Sequence, residues 1–220
     1  MYDLVSFGEV MLRLAAPGRQ RLEQTASFDV HVGGTELNVA IGAGRLGLRT
    51  AYVTRLTDNA LGRMIRNKVR EQGVDASQIV WTEKDRIGLY FTESGTNPRG
   101  GDLIYDRADS AVSRIAPGEV DWENVFRAAR HYHVTGITAA LSPSAAAVTA
   151  ESMAAAKAAG CTVSFDVNYR AKLWTESEAR KCLEPLLKNV DILFTSGGEV
   201  KNVFGIAGRD AAETAAKIEE

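Results

Sequence analysis

Short apolar runs alternate with longer stretches of helical periodicity along most of the chain. Leu4-Val5-Ser6-Phe7, closed by Gly8, predicts a buried strand. From Glu36 to Leu46, Leu37, Ala40, Ile41 and Gly44 share one face, and Gly47 stands where a glycine ends a helix. Ala51-Tyr52-Val53 predicts a strand. Ala60 to Gln72 predicts a helix, with Leu61, Met64, Ile65 and Val69 at helical spacing and Gly73 as its stop. Ile79-Val80-Trp81 predicts the next strand. Further on come a helix from Trp122 to Ala129, a strand from His131 to Val134 ending at Gly136, and an alanine-rich helix from Pro143 to Ala159. A strand from Thr162 to Asp166 follows. Thr175-Glu176-Ser177-Glu178 is a capping box for a helix running to Lys188, which Pro185 is expected to kink. Ile192-Leu193-Phe194 is a strand, Glu199 to Phe204 a short helix, and Asp210 with Glu213 caps one more. Such alternation predicts an α/β fold, a Rossmann-like parallel sheet with crossover helices.

Two stretches break the pattern. Leu12 to Val32 holds Pro17, Gly18 and short alternating pieces such as Phe28-Asp29-Val30-His31-Val32, which suit a hairpin. Between Arg86 and Asp106, Leu89-Tyr90-Phe91 and Leu103-Ile104-Tyr105 flank the turn residues Gly95, Asn97-Pro98 and Gly100-Gly101. The two hairpins are expected to pair into one small sheet. The expected division is therefore an α/β core over 1–11, 36–85 and 110–220, and a β lid over 12–35 and 86–109. The last helix runs into Glu220 without a stop signal, so the domain is expected to continue beyond it.

Length and charge narrow the picture. At about 150 residues per domain, 220 residues make one large domain, with or without a small appendage. Lys and Arg number 26 against 28 Asp and Glu, a net charge of −2, which lacks the bulk electrostatic footprint of a nucleic-acid binder. Cys161 and Cys182 form no CxxC pair and no metal-type spacing. One disulfide between them is compatible with the sequence, but two thiols in this length fit a reducing compartment better, and a cytoplasmic protein is expected. The first residues have no signal-peptide pattern and no run approaches ~20 apolar residues, so no membrane association is expected.

Several motifs carry candidate chemistry. Gly42-Ala43-Gly44-Arg45-Leu46-Gly47 satisfies GxGxxG but falls late in a helix, so it reads as close packing and a helix stop. Gly33-Gly34 precedes a helix and suits close approach to a ligand, a hinge, or an ordinary loop. Asp166-Val167-Asn168-Tyr169-Arg170 directly follows a strand, where open parallel sheets bind ligands; it suits phosphate or sugar, or a solvated loop. Ser196-Gly197-Gly198-Glu199 ends the next strand in the same way. Tyr90 with Tyr105-Asp106-Arg107 suits a polyhydroxyl or carboxylate ligand, or a cross-strand tyrosine pair beside a surface arginine. His131 and His133 share a strand face without evident further metal ligands. GxSxG, HExxH and GxxxxGK[ST] are absent from the sequence.

In this order the pieces resemble the ribokinase-like (PfkB) carbohydrate kinases, in particular the branch acting on 2-keto-3-deoxygluconate. The matching segments are Phe7-Gly8-Glu9-Val10-Met11-Leu12-Arg13-Leu14, Phe28-Asp29-Val30 before Gly33-Gly34, and Asn38-Val39-Ala40. Arg86-Ile87-Gly88-Leu89-Tyr90-Phe91, Tyr105 to Ala111, Gly136-Ile137-Thr138 and Asp166 to Trp174 complete them. The resemblance implies transfer of the ATP γ-phosphoryl to a sugar hydroxyl with Mg²⁺, and a β lid that often clasps a second copy. It implies substrate contacts from Gly33, Gly34 and Asn38, and from Tyr90, Tyr105 and Arg107 on the lid. Asn168, Tyr169 and Arg170 would meet nucleotide phosphates, Arg170 also the substrate. Ser196 would lie by the nucleotide, and Glu199 would organise Mg²⁺ through water. Arg13 stands where many relatives acting on neutral sugars carry an Asp. A guanidinium cannot accept a hydrogen bond, so an acidic sugar is expected.

The sequence departs from the family pattern in places. Ser196 replaces the usual Asn of Asn-x-x-Glu, Thr57 replaces a common Gly, and Glu36 stands where a small residue is frequent. The Gly-Ala-Gly-Asp loop carrying the family's general base does not occur, so that Asp is expected beyond Glu220. The reading is a 2-keto-3-deoxygluconate kinase. The alternatives are a fructokinase or another sugar kinase of the family, and a non-catalytic sugar-acid-binding or dimerisation remnant.

Overall fold

Leu4, Val5 and Phe7 are buried on both faces of the first strand, β1 (Leu4–Phe7), as an interior parallel strand requires. A computed structural model describes residues 1–219. In it β1 belongs to a six-stranded parallel sheet with β4 (Thr50–Thr57), β5 (Ile79–Thr82), β8 (His131–Thr135), β9 (Thr162–Asp166) and β10 (Ile192–Phe194). The strand order is β10-β9-β8-β1-β4-β5. The chain forms two compact units, Met1–Val5 with the residues from Ala116 onward, and Ser6–Ile115.

In the second unit, α1 (Thr35–Arg45) and α2 (Ala60–Glu71) follow β3 (Asp29–Gly33) and β4. Their apolar faces join Tyr52, Leu56 and Ile79 in one core with Leu37, Ala40, Ile65 and Val69. β4 runs to Thr57, past the apolar triplet that marks it in the sequence. Its polar extension is held by side chains: Thr54 and Thr57 are buried, Thr57 donates to the Asp85 carbonyl, and Arg55 pairs with Asp85.

The same unit carries a second sheet of β2 (Met11–Ala15), β3 (Asp29–Gly33), β6 (Leu89–Glu93) and β7 (Asp102–Asp106), in the order β3-β2-β6-β7. The two hairpins are antiparallel and join through parallel pairing of β2 with β6. Register decides which side chains share a face. His31, Arg13, Tyr90 and Tyr105 lie in one cross-strand row. Gly33 pairs with Met11 at the end of the hairpin, and Met11 and Arg107 both lie beside Gly88. Opposite stand Val30, Leu14, Phe91 and Ile104 in register, Val30 and Ile104 exposed, with Phe28 edge-on to Phe91.

In the first unit, α5 (Pro143–Ala158) buries Ala145, Val148, Met153 and Ala156. Three expectations change here. The helix at Trp122 stops at Phe126 as α3 (Trp122–Phe126). Gly136 opens α4 (Gly136–Ala140) as well as ending β8, because the Thr135 hydroxyl caps the Ile137 N–H. Pro185 does not kink a continuous helix. α6 (Glu176–Leu183) carries the expected capping box and ends, and Pro185 sits in the first turn of a 3₁₀ segment, Glu184–Asn189, where its missing N–H costs nothing. α7 (Gly197–Glu199) passes into a π turn, Val200–Phe204, and α8 (Ala211–Glu219) follows. The expected ending at Glu220 lies outside the described residues. No helix among them is long and apolar enough to cross a membrane. Cys161 and Cys182 are both free thiols.

His131 and His133 do share a face, and both meet the Ser164 hydroxyl, at 2.7 Å and 2.9 Å. Burial, with His131 adding to it, lowers His133 to about 4. The native state therefore excludes a proton that the unfolded chain accepts below about 6.5. This stabilisation is complete above that pH and is lost as pH falls towards 4. Between pH 7 and pH 5 the loss from His133 is roughly 2 kcal/mol. Urea midpoints measured at both pH values should show it, and His133→Gln should flatten the dependence.

Candidate functional site

Two groups of polar side chains emerge, one in each unit. The first lies on the polar face of the four-stranded sheet. The Tyr90 and Tyr105 rings sit 5.8 Å apart, and the Arg107 guanidinium lies 5.3 Å from the centre of the Tyr105 ring. Gly33 and Gly34 stand at the end of β3, before α1. A Cβ on Gly33 would lie 3.0 Å from the Tyr90 hydroxyl, and one on Gly34 would overlap the Glu9 carbonyl. Gly34 is needed for this close backbone approach, and Gly33 leaves room for the Tyr90 hydroxyl. Asn38 is exposed in the first turns of α1.

The spacing of the motifs did not single out the acid at the base of this group. Glu9 is buried; Arg107 donates to one carboxylate oxygen and the Ser110 hydroxyl to the other, at 3.1 Å. Burial raises the Glu9 carboxyl, and the Arg107 charge and these hydrogen bonds oppose that rise. Glu9 and Arg107 are 98 positions apart, so nothing local in the sequence pairs them. Beside them Glu36 is buried, and its carboxyl group fills the space that a Cβ on Gly8 would need. Tyr52 donates to the Gly8 carbonyl at 2.7 Å; burial and the Glu36 charge hold its hydroxyl well above the usual tyrosine range.

The second group stands at the carboxyl ends of β9 and β10. Asn168 has φ of 43°, a left-handed conformation that Asn tolerates better than most residues, and is buried. Its backbone N–H and amide both reach Asp166, at 3.1 Å and 3.3 Å. Glu199 ties the two strand ends together. It accepts the Tyr169 N–H at 2.8 Å, and with Ser196 it forms a capping box in which it also accepts the Ser196 N–H and hydroxyl. Burial raises the Glu199 carboxyl, but those donors and Arg170 outweigh it and leave it below the usual range. Asp166 goes the other way: burial raises it, with the Glu199 charge adding, against the Asn168 N–H and Arg170. Arg170 is exposed and spends one N–H on the Tyr169 carbonyl, at 3.0 Å. Ser196 also opens onto a groove of about 900 Å³ lined by Val200, Lys201 and Ile218.

These carboxylates suit a hard divalent cation. Asp166 and Glu199 offer oxygen donors, each raises the cost of the other's charge, and a cation would relieve that repulsion. The backbone and guanidinium donors of Asn168 to Arg170 suit phosphate oxygens. The GxGxxG match has no such setting: Gly42 and Gly44 lie within α1, and Gly47, at φ of 91°, follows its end.

A parallel sheet with polar loops at its strand ends, and a second sheet with a tyrosine- and arginine-bearing face, define an α/β protein of the ribokinase-like fold. The chain belongs to the pfkB family of carbohydrate kinases, whose model matches residues 1–220. It is 39% identical over 216 residues to a 2-dehydro-3-deoxygalactonokinase of Haloferax volcanii, covering 98% of this chain and 67% of the relative. A 2-dehydro-3-deoxygluconokinase of Thermoproteus tenax is 34% identical over 223 residues, covering 100% and 66%. The crystal structure of a 2-dehydro-3-deoxygluconokinase from Thermotoga maritima superposes with a TM-score of 0.92 at 40% identity, covering 100% of this chain and 68% of that one. The chain thus spans about two thirds of the length of these proteins.

Proposed function

We propose that the protein transfers the γ-phosphoryl group of ATP to a hydroxyl of 2-keto-3-deoxygluconate. The observation that carries the acidic acceptor is the row His31, Arg13, Tyr90 and Tyr105 with Arg107 beside it: cations and phenols on one sheet face, with Arg13 where a neutral-sugar kinase carries an acceptor. Tyr90, Tyr105 and Arg107, on the β lid of 12–35 and 86–109, close over the acceptor. Gly33 and Gly34 admit it to the backbone, and Asn38 bonds its hydroxyls. Asn168, Tyr169, Arg170 and Ser196 hold the nucleotide. Asp166 and Glu199 orient Mg²⁺ through its waters. The metal, when bound, neutralises charge on the transferring group. The Gly-Ala-Gly-Asp loop that carries the family's general base does not occur in the sequence. The apolar row Val30, Leu14, Phe91 and Ile104, exposed at Val30 and Ile104, supports association of two copies through the lid. The free thiols support a reducing, cytoplasmic setting.

ADP release by the native protein with 2-keto-3-deoxygluconate, fructose and ribose tests this reading. The expected kcat/KM for the keto-acid is at least tenfold above that for either neutral sugar. Faster turnover of fructose or ribose overturns the acidic acceptor, and binding of the keto-acid without ADP formation overturns the kinase.

A further inference from the structure

Arg13 and Arg107 are both cations on the acceptor-facing side of the sheet, but their electrostatic surroundings differ. Arg107 is compensated. Its side chain is 12% exposed and pairs with Glu9, which is 2% exposed. Both Glu9 oxygens are committed, one to Arg107 and one to Ser110. Gly88 leaves room for the pair: a Cβ there would lie 3.2 Å from Glu9 and 3.6 Å from the Arg107 Cβ. Removing either partner would strand a buried charge, so the pair persists when a ligand arrives. The unit it presents to the ligand is neutral overall.

Arg13 has no such partner. Its cross-strand neighbours are His31 and Tyr90, neither of them an acid. No carboxylate among the described residues pairs with it. Its Nε is shielded from solvent and makes no hydrogen bond, and the Arg107 Nε is orphaned in the same way. A shielded guanidinium N–H without an acceptor is costly, and an incoming oxygen relieves it. A neutral hydroxyl or keto oxygen suffices at Arg107. At Arg13 the whole positive charge is unmatched, and a carboxylate supplies both the acceptor and the opposite charge.

We propose that Glu9 is a positioning residue that fixes Arg107 and cancels its charge, so that Arg107 binds an uncharged oxygen of the acceptor sugar while Arg13 takes its carboxylate. This deepens the proposed function and rests on it.

The test measures affinity by calorimetry for 2-keto-3-deoxygluconate and for 3-deoxyfructose, in which CH₂OH replaces the carboxylate. The readout is the ratio of the two dissociation constants in the native protein and three variants. Arg13→Gln is expected to weaken the acid about tenfold or more and to leave the neutral sugar nearly unchanged, so the ratio collapses. Glu9→Gln keeps the shape and removes the countercharge, and is expected to shift the ratio at least threefold further towards the acid. The double variant Glu9→Gln/Arg107→Gln removes both compensated charges; it is expected to weaken both ligands and to keep the native ratio. A native-like ratio in Arg13→Gln, an unmoved ratio in Glu9→Gln, or a collapsed ratio in the double variant overturns the proposal. Arg13 is a partly exposed strand residue, so Arg13→Gln decides the matter if the Glu9 variants do not fold. A native protein that binds neither sugar, or prefers the neutral one, overturns the proposed function itself. A preference for the acid that survives Arg13→Gln overturns only the present inference.

Discussion

Gly136→Ala is expected to lower phosphoryl transfer about a hundredfold and to reduce the melting temperature by several degrees. Gly136 opens α4, and a Cβ there would overlap the Val167 carbonyl oxygen and come within 3.2 Å of its carbon. The obstacle is backbone, so it cannot rotate away as a side chain does. On its other side Val167 is held by its N–H to the Phe194 carbonyl, at 3.0 Å. The residues that move with it are Asp166 and Asn168 to Arg170, the loop proposed above to hold the nucleotide phosphates. Misplacement of a reacting group by about 1 Å costs on the order of a hundredfold in rate. Overpacking of this kind costs about 1–3 kcal/mol, or roughly 2–4 °C per kcal/mol for a chain of this size. Steady-state kinetics and thermal unfolding of the native protein and the variant check both numbers. Gly42→Ala is the control: no atom lies within 4 Å of its Cβ, inside α1, and replacing a helical glycine there should be neutral or slightly stabilising. An equal effect at the two positions would contradict the argument.

Arg107→Ala should be the most damaging change on the sheet, because it leaves Glu9 buried without its countercharge. Loss of one partner of a buried pair costs about 3–5 kcal/mol, and the slight exposure of Arg107 places the expected value at about 3 kcal/mol. Much of that cost belongs to the stranded carboxylate. Arg107→Ala/Glu9→Gln should therefore recover at least half of the lost stability without recovering acceptor affinity. Urea denaturation gives the first quantity and calorimetry the second. Additive destabilisation in the double variant would mean that the two side chains do not act as a pair.

Much of the fold was legible along the chain because its signals are local. β1, α1, α2 and β9 are short apolar runs or helices with a periodic apolar face, and α5 is an alanine-rich run closed by Gly160; such patterns need no partner to be recognised. The capping boxes at Thr175 and Ser196 span four residues each, and the first is readable in the sequence alone. The helix at Trp122 was read too long because its alanines continue a helical pattern that the chain abandons at Arg127. α4 was missed because its five residues begin at a glycine that also reads as the stop of the preceding strand.

The site divides along the same line. Amino-acid order alone determined the alternating α/β architecture, the two hairpins, the loops after β9 and β10, and the tyrosines and arginines that mark the family. Tertiary structure decided how charge is distributed among them. Glu9 meets Arg107 across 98 positions, Glu36 fills the space that Gly8 leaves, and Glu199 reaches the Tyr169 N–H 30 positions away. Hydrophobic periodicity and capping act over a few residues and are written in neighbours. Whether a buried charge is matched or left open depends on which strand lies beside which and in what register, and that is settled only when the sheets form.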